Sequence, residues 1–182
     1  VRPIVFGAAV QLGLPAGFIG SQTRLYDELR RAFVFGKAMG NWFNATTNFI
    51  QGCALSQVWL NISITMWARL VRQRAPGVRT SGYVDDRSLR SESIYGLQLG
   101  LDATYEFDQA TLQESHPRKS NLWATEVKAR KQLRVVTLGN KKIPIVEQDK
   151  QLGVQERYSR RHNKSVMSTR CIKLVRTAER IQ

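Results

Sequence analysis

Apolar residues recur along this chain with a helical period in some stretches and a strand period in others, and the breaks between them fall at glycine and proline. Pro3 suits a first helical turn. Ile4, Val5, Ala8 and Ala9 supply an apolar face that ends at Gly13-Leu14-Pro15. A second helix is predicted from about Phe18 to Phe33, with Ile19, Leu25, Leu29 and Phe33 at its apolar positions and Arg24, Arg30 and Arg31 solvated. Short extended pieces around Val34 and Trp42-Phe43 follow, punctuated by Gly36 and Gly40. The clearest helix opens after Gln51-Gly52. Val58, Ile62, Met66 and Leu70 recur every four residues, with Leu55, Trp67 and Val71 beside them, and Pro76-Gly77 stops the run.

Beyond that break, Val78 to Val84 reads as a strand, Asp85-Asp86 as a tight turn and Arg87 to Leu89 as the return strand. Glu92 to about Gln113 is predicted helical, with Leu97, Leu101, Tyr105 and Ala110 near one face and Gly96 and Gly100 weakening it. Asn121 to Ala124 reads as a strand and Thr125 to Gln132 as a short helix. Strands are expected at Leu133 to Val136, Ile143 to Val146 and Leu152 to Val154. A last helix, from about Ser165 to Ile181, turns Ile172, Val175 and Ala178 inward and crowds Arg170, Lys173, Arg176 and Arg180 elsewhere. The expected class is α+β, a small antiparallel sheet packed on helices.

Composition narrows the partners. Of 182 residues, 28 are Lys or Arg and 14 are Asp or Glu, a net charge of +14 that favours a polyanion. Nucleic acid is the first candidate and an acidic membrane surface the second. The longest apolar stretch, Leu55 to Val71, is interrupted by Ser56, Gln57, Asn61, Ser63, Thr65 and Arg69, which fits a buried amphipathic helix and not a membrane span. Cys53 and Cys171 have no metal or redox spacing. With no secretory signal, the expectation is an intracellular protein, nuclear or cytoplasmic, in a reducing compartment. The chain opens on Val1 and not on Met, so a fragment or a processed product is expected.

The sharpest chemical feature is Tyr83-Val84-Asp85-Asp86. Two adjacent carboxylates repel one another, and a turn needs only one Asx residue; on turn preference alone the pair reads as a solvated Asp-Asp turn. A divalent cation gives the pair a purpose, because Mg²⁺ takes hard oxygen ligands from one or two carboxylates and from substrate phosphates. Upstream, Gln51-Gly52-Cys53-Ala54-Leu55-Ser56 opens a long helix whose N-terminus favours phosphate. A nucleoside triphosphate with its metal could bridge the two features.

Gln-Gly-x-x-x-Ser, a helix and then Tyr-x-Asp-Asp resemble motifs B and C of reverse transcriptases, closest to the non-LTR retrotransposon type. His116-Pro117-Arg118-Lys119-Ser120 resembles motif D, and Lys150-Gln151-Leu152-Gly153-Val154 resembles the segment near the primer grip. The resemblance covers most of the chain. It implies a partial right-hand polymerase palm over residues 1–155 and a basic helical start of the thumb or connection over 156–182. It implies RNA template, DNA primer and deoxynucleoside triphosphates as partners, with Mg²⁺ or Mn²⁺ as cofactor. Asp85 and Asp86 would then be metal ligands. Gln51, Gly52, Ser56 and Tyr83 would position template, primer or nucleotide, and Lys119 would contact or protonate the leaving pyrophosphate. Arg160, Arg161, Arg170 and Lys173 would meet nucleic-acid phosphates. The chemistry implied is in-line attack of a primer 3′-hydroxyl on an α-phosphate, with two metal ions about 3.5–4 Å apart.

The departures set limits. Ala54 stands at the family's usual Pro, His116 at its usual Asn, and Arg87 and Arg90 where apolar residues are commoner. Motif A and the fingers should precede Gly13-Leu14-Pro15, and no acidic residue lies there. The expectation is therefore a fragment inactive by itself. The alternatives are a non-catalytic basic nucleic-acid-binding remnant and a decayed product with no biochemical role.

Overall fold

The computed structural model describes residues 2–45, 49–50, 53–151 and 154–157, with side chains described as far as residue 147. The fold is mixed: among the described residues there are five α-helices and several two-stranded antiparallel sheets, compatible with the α+β class. The chain forms two compact units, Val1–Ser115 and His116–Gln182.

In the first unit, α1 (Arg2–Gln11) and α2 (Ala16–Asp27) pack on the N-terminal half of α3 (Ala54–Arg74). Val5, Phe6 and Ala9 of α1, Ile19 and Tyr26 of α2, and Trp59 and Ile62 of α3 form one apolar cluster with Phe49. Phe6 meets Trp59 edge-on at a ring separation of 5.0 Å. Arg2 is buried at the edge of this cluster, donating to the carbonyls of Tyr26 (3.1 Å) and Ala45 (2.7 Å). Ile4, expected on the inward face, is exposed, and Phe6 takes the inward place. The second helix stops at Asp27, short of the expected Phe33. Arg30–Arg31 (β1) leaves it to pair with Phe43–Asn44 (β4), enclosing a smaller hairpin of Val34–Phe35 (β2) and Ala38–Met39 (β3).

The buried stripe of α3 is Ser56, Trp59, Ile62, Ser63, Trp67 and Val71, whereas Val58 is exposed. A strict spacing of four drifts about 40° per step around a helix of 3.6 residues per turn, so a run begun at the exposed Val58 starts off the core face and reaches it at Ile62. A mixed spacing of three and four stays on it.

The C-terminal half of α3 carries a second cluster. Trp67, Val71 and Ala75 meet Val78, Ala103 and Phe107, with Leu89 against them. Here β5 (Arg79–Tyr83) and β6 (Asp86–Arg90) form a hairpin, followed by α4 (Ile94–Thr111). The inward face of α4 is Gly100, Ala103, Thr104, Phe107, Asp108 and Thr111. The face expected from Leu97, Leu101, Tyr105 and Ala110 is not the buried one; Tyr105 and Ala110 are exposed. Close approach explains the inversion. A Cβ on Gly100 would stand 3.2 Å from Val78 and 3.3 Å from Leu89, so the tightest packing falls where the side chain is missing.

The second unit buries the apolar residues Leu122, Leu133, Val136, Leu138 and Ile143. Its elements are α5 (Val127–Gln132), β7 (Thr137–Leu138) paired with β8 (Lys141–Lys142), and β9 (Gln148–Gln151) paired with β10 (Val154–Arg157). Leu133–Val135 is a 3₁₀ turn and not the expected strand. The strand expected at Ile143 to Val146 is reduced to a single parallel bridge from Ile145 to Leu122. Val154 opens β10, while Leu152 and Gly153 lie outside the described residues. The basic helix expected at 165–181 lies outside them too. No helix among the described residues is long and apolar enough to cross a membrane.

Candidate functional site

The β5–β6 hairpin is built on one register: Arg79 opposite Arg90, Thr80 opposite Leu89, Ser81 opposite Ser88, Gly82 opposite Arg87 and Tyr83 opposite Asp86. Side chains alternate across a strand. Thr80, Gly82, Arg87 and Leu89 therefore share the face toward the helices. Arg79, Ser81, Tyr83, Asp86, Ser88 and Arg90 share the outer one, where each of them is exposed.

The tip differs by one residue from the expected Asp85-Asp86 turn. Val84 and Asp85 make the turn, and Asp86 is already the first residue of β6, paired with Tyr83. Val84 has φ +57°, a left-handed conformation that a β-branched residue adopts only under strain. Such strain persists only where the surrounding structure imposes it, and it collects at functional sites. Asp85 and Asp86 are both exposed, and neither forms a salt bridge with any described residue. On a chain of +14, these two adjacent carboxylates have no cationic partner among the described residues, and hard oxygen donors of this kind are what a divalent cation takes. Among the described residues, however, no group of three His, Cys, Asp or Glu side chains is placed to hold a metal. The described donor set is two carboxylates, which suits an ion that keeps most of its coordination for water and phosphate.

The hairpin is pinned by its inner face. A Cβ on Gly82 would lie 2.7 Å from the Ile64 methyl of α3, so any larger residue there forces Ile64 or the strand to shift. Ile64 precedes the helix end at Arg74 by roughly three turns, about 15 Å. The first strand thus folds back along α3, and its tip is directed toward that helix's N-terminal half. Arg87 reaches between α3 and α4. Its guanidinium lies over the rings of Trp67 (5.5 Å) and Phe107 (5.8 Å) and donates to Asp108 Oδ1 at 2.7 Å and Ser115 Oγ at 2.9 Å. Ser115 Oγ in turn donates to Asp108 Oδ2 at 2.5 Å.

At the start of α3, Cys53 occupies the cap position in an extended conformation, and no side chain caps the helix. No acidic residue lies in the first turn. Ser56 is buried, and its hydroxyl donates to the carbonyl of Ile50. That hydroxyl proton ties down the helix entry, so Ser56 serves there as a structural anchor. Gln51 and Gly52 lie outside the described residues, as do Arg160, Arg161, Arg170 and Lys173. Lys119 ends an exposed 3₁₀ turn, Pro117–Lys119, in the second unit.

Sequence reading missed Asp108 and Ser115, the partners of Arg87. The one available signal was parity: Arg87 shares a strand face with the half-buried Leu89, which turns it inward without identifying its partner. Comparison with known proteins finds no matching family model and no matching curated protein.

Proposed function

We propose that this chain carries the metal-binding hairpin of an RNA-directed DNA polymerase palm. The observation that carries the reading is the strained hairpin tip, where Asp85 and Asp86 stand exposed and without a cationic partner. The motif resemblance over the rest of the chain supplies the reaction class. Asp85, in the turn, projects from the tip. Asp86 begins the return strand beside Tyr83, which would support a base or sugar on the open face. Divalent cations held there would stabilise the attacking and leaving oxygens of an in-line phosphoryl displacement.

The inner face does the positioning. Gly82 against Ile64 and Arg87 against Asp108 hold the strands, and therefore the two carboxylates, on a rigid support. The first turn of α3, free of side-chain caps and acids, favours a nucleotide phosphate. Two carboxylates do not complete a two-metal site, so a further acidic ligand must come from outside the described constellation. Template-directed extension is expected to be absent from these 182 residues by themselves. It is expected to appear when a strand bearing that carboxylate is supplied. Asp85→Asn should then abolish it, and extension that survives the substitution contradicts the reading.

The net charge of +14 favours a second reading, a non-catalytic nucleic-acid-binding protein. It predicts salt-sensitive binding with little sequence preference, unaffected by Asp85→Asn. The packing of Arg87 weighs against random decay at that position, because its charge is matched and its plane is covered.

A further inference from the structure

The segment from Arg30 to Asn44 projects an unusual set of side chains for a free surface. Phe35 is 91% exposed, Phe33 78% and Trp42 61%. Phe33 lies parallel to Phe43, with ring centroids 5.2 Å apart and planes inclined by 26°. The ladder explains the pairing: Arg31 opposes Phe43, the Gly40 amide donates to the Phe33 carbonyl at 2.8 Å, and Gly36-Lys37 turn the inner hairpin. Phe33 lies between β1 and β2, and Phe35 closes β2 opposite Ala38. A hydrophobic core would bury these rings; here they stand stacked in the open.

The electrostatics select the occupant. Arg30 and Lys37 are exposed at the two ends of this ladder and form no salt bridge with any described residue. From Leu29 to Val84 the chain contains no Asp or Glu at all. An apolar surface meant for a protein partner needs no such exclusion of acids, whereas one meant for a polyanion does. Exposed aromatic faces interleaved with cations are the combination that holds single-stranded nucleic acid, where bases stack on rings and the backbone tracks positive charge.

We propose that the Phe33–Phe43 stack, with Phe35 and Trp42, is a stacking platform for unpaired bases of a single-stranded nucleic acid whose phosphates meet Arg30 and Lys37. The proposal rests on the reading that the chain binds nucleic acid, but it needs neither the Asp85-Asp86 pair nor a metal. It therefore assigns a second contact surface, built from residues other than the carboxylates.

The test is binding of a short fluorescent oligouridylate to the full chain in EDTA, across a salt series, comparing the parent with Phe35→Leu and Trp42→Leu. Leucine keeps an apolar surface and removes the ring. Each variant is expected to lose about tenfold in affinity, the cost of one stacked base, with the salt slope unchanged because no charge was removed. Circular dichroism and the emission of the buried Trp59 and Trp67 report whether the variants remain folded. A parent that binds while both folded leucine variants bind equally well overturns the platform and leaves nucleic-acid binding standing. A parent that binds no oligouridylate overturns both. Self-association through this hairpin, tolerant of leucine, would make the surface a protein interface and also overturns it.

Discussion

Arg87 of the β5–β6 hairpin donates to Asp108 of α4 at 2.7 Å, across a contact where Asp108 is only 2% exposed. The pair sits under the hairpin whose tip carries Asp85 and Asp86, so it links stability to the placement of the site. Removing one partner strands the other charge in a region covered by Trp67 and Phe107. Asp108→Ala is expected to cost about 3 kcal/mol in urea denaturation. Replacing both residues by leucine should cost less than the sum of the single changes, since no buried charge remains. Additive losses in that cycle would mean the two side chains do not interact.

Gly82 gives a steric prediction. Its Cα faces Ile64 so closely that a methyl would overlap the Ile64 Cγ2 position. Gly82→Ala is expected to destabilise by about 1–3 kcal/mol, the usual cost of overpacking. Ile64→Ala in the same chain should recover part of that loss. A second substitution that only adds to the damage would place the clash elsewhere.

Val84 holds a conformation that glycine adopts freely. Val84→Gly should therefore leave stability unchanged or raise it by up to about 1 kcal/mol, in contrast to a typical glycine substitution in a strand. A clear loss of stability would show that the left-handed turn is not strained.

The orientation of α4 can be checked by substitutions on its two faces. Phe107→Ala should lose about 3–5 kcal/mol, whereas Tyr105→Ser should change stability by less than about 0.5 kcal/mol. Equal losses would restore the face that Leu97, Leu101 and Tyr105 suggest.

That inversion of α4 shows where sequence patterning runs out. Periodicity located α1, α3 and α4 and the hairpin, because Pro3, Pro76-Gly77 and the helical repeats are local signals. It misjudged which side of α4 is buried, since the closest packing used Gly100, Ala103, Thr104 and Asp108 in place of large apolar residues. The burial of Arg87 is likewise a tertiary fact: only the register with Gly82 and the proximity of α4 show that its charge is matched. The carboxylate tip was legible as a motif, yet the turn fell at Val84-Asp85 because Tyr83 pairs with Asp86. Ser56, read as a ligand contact, also has a structural use, fastening the entry of α3 to Ile50. Nothing in its local sequence separates those two uses of a hydroxyl.

The proposed polymerase reading requires the hairpin tip to grip a divalent cation. Backbone amide spectra of the full chain titrated with Mn²⁺ test it directly, through paramagnetic broadening around the bound ion. Broadening is expected to centre on Val84 to Arg87, to be displaced by Mg²⁺ and to be absent from a folded Asp85→Asn/Asp86→Asn chain. Amides at the tip that stay sharp, or broadening that persists in that variant, would contradict it.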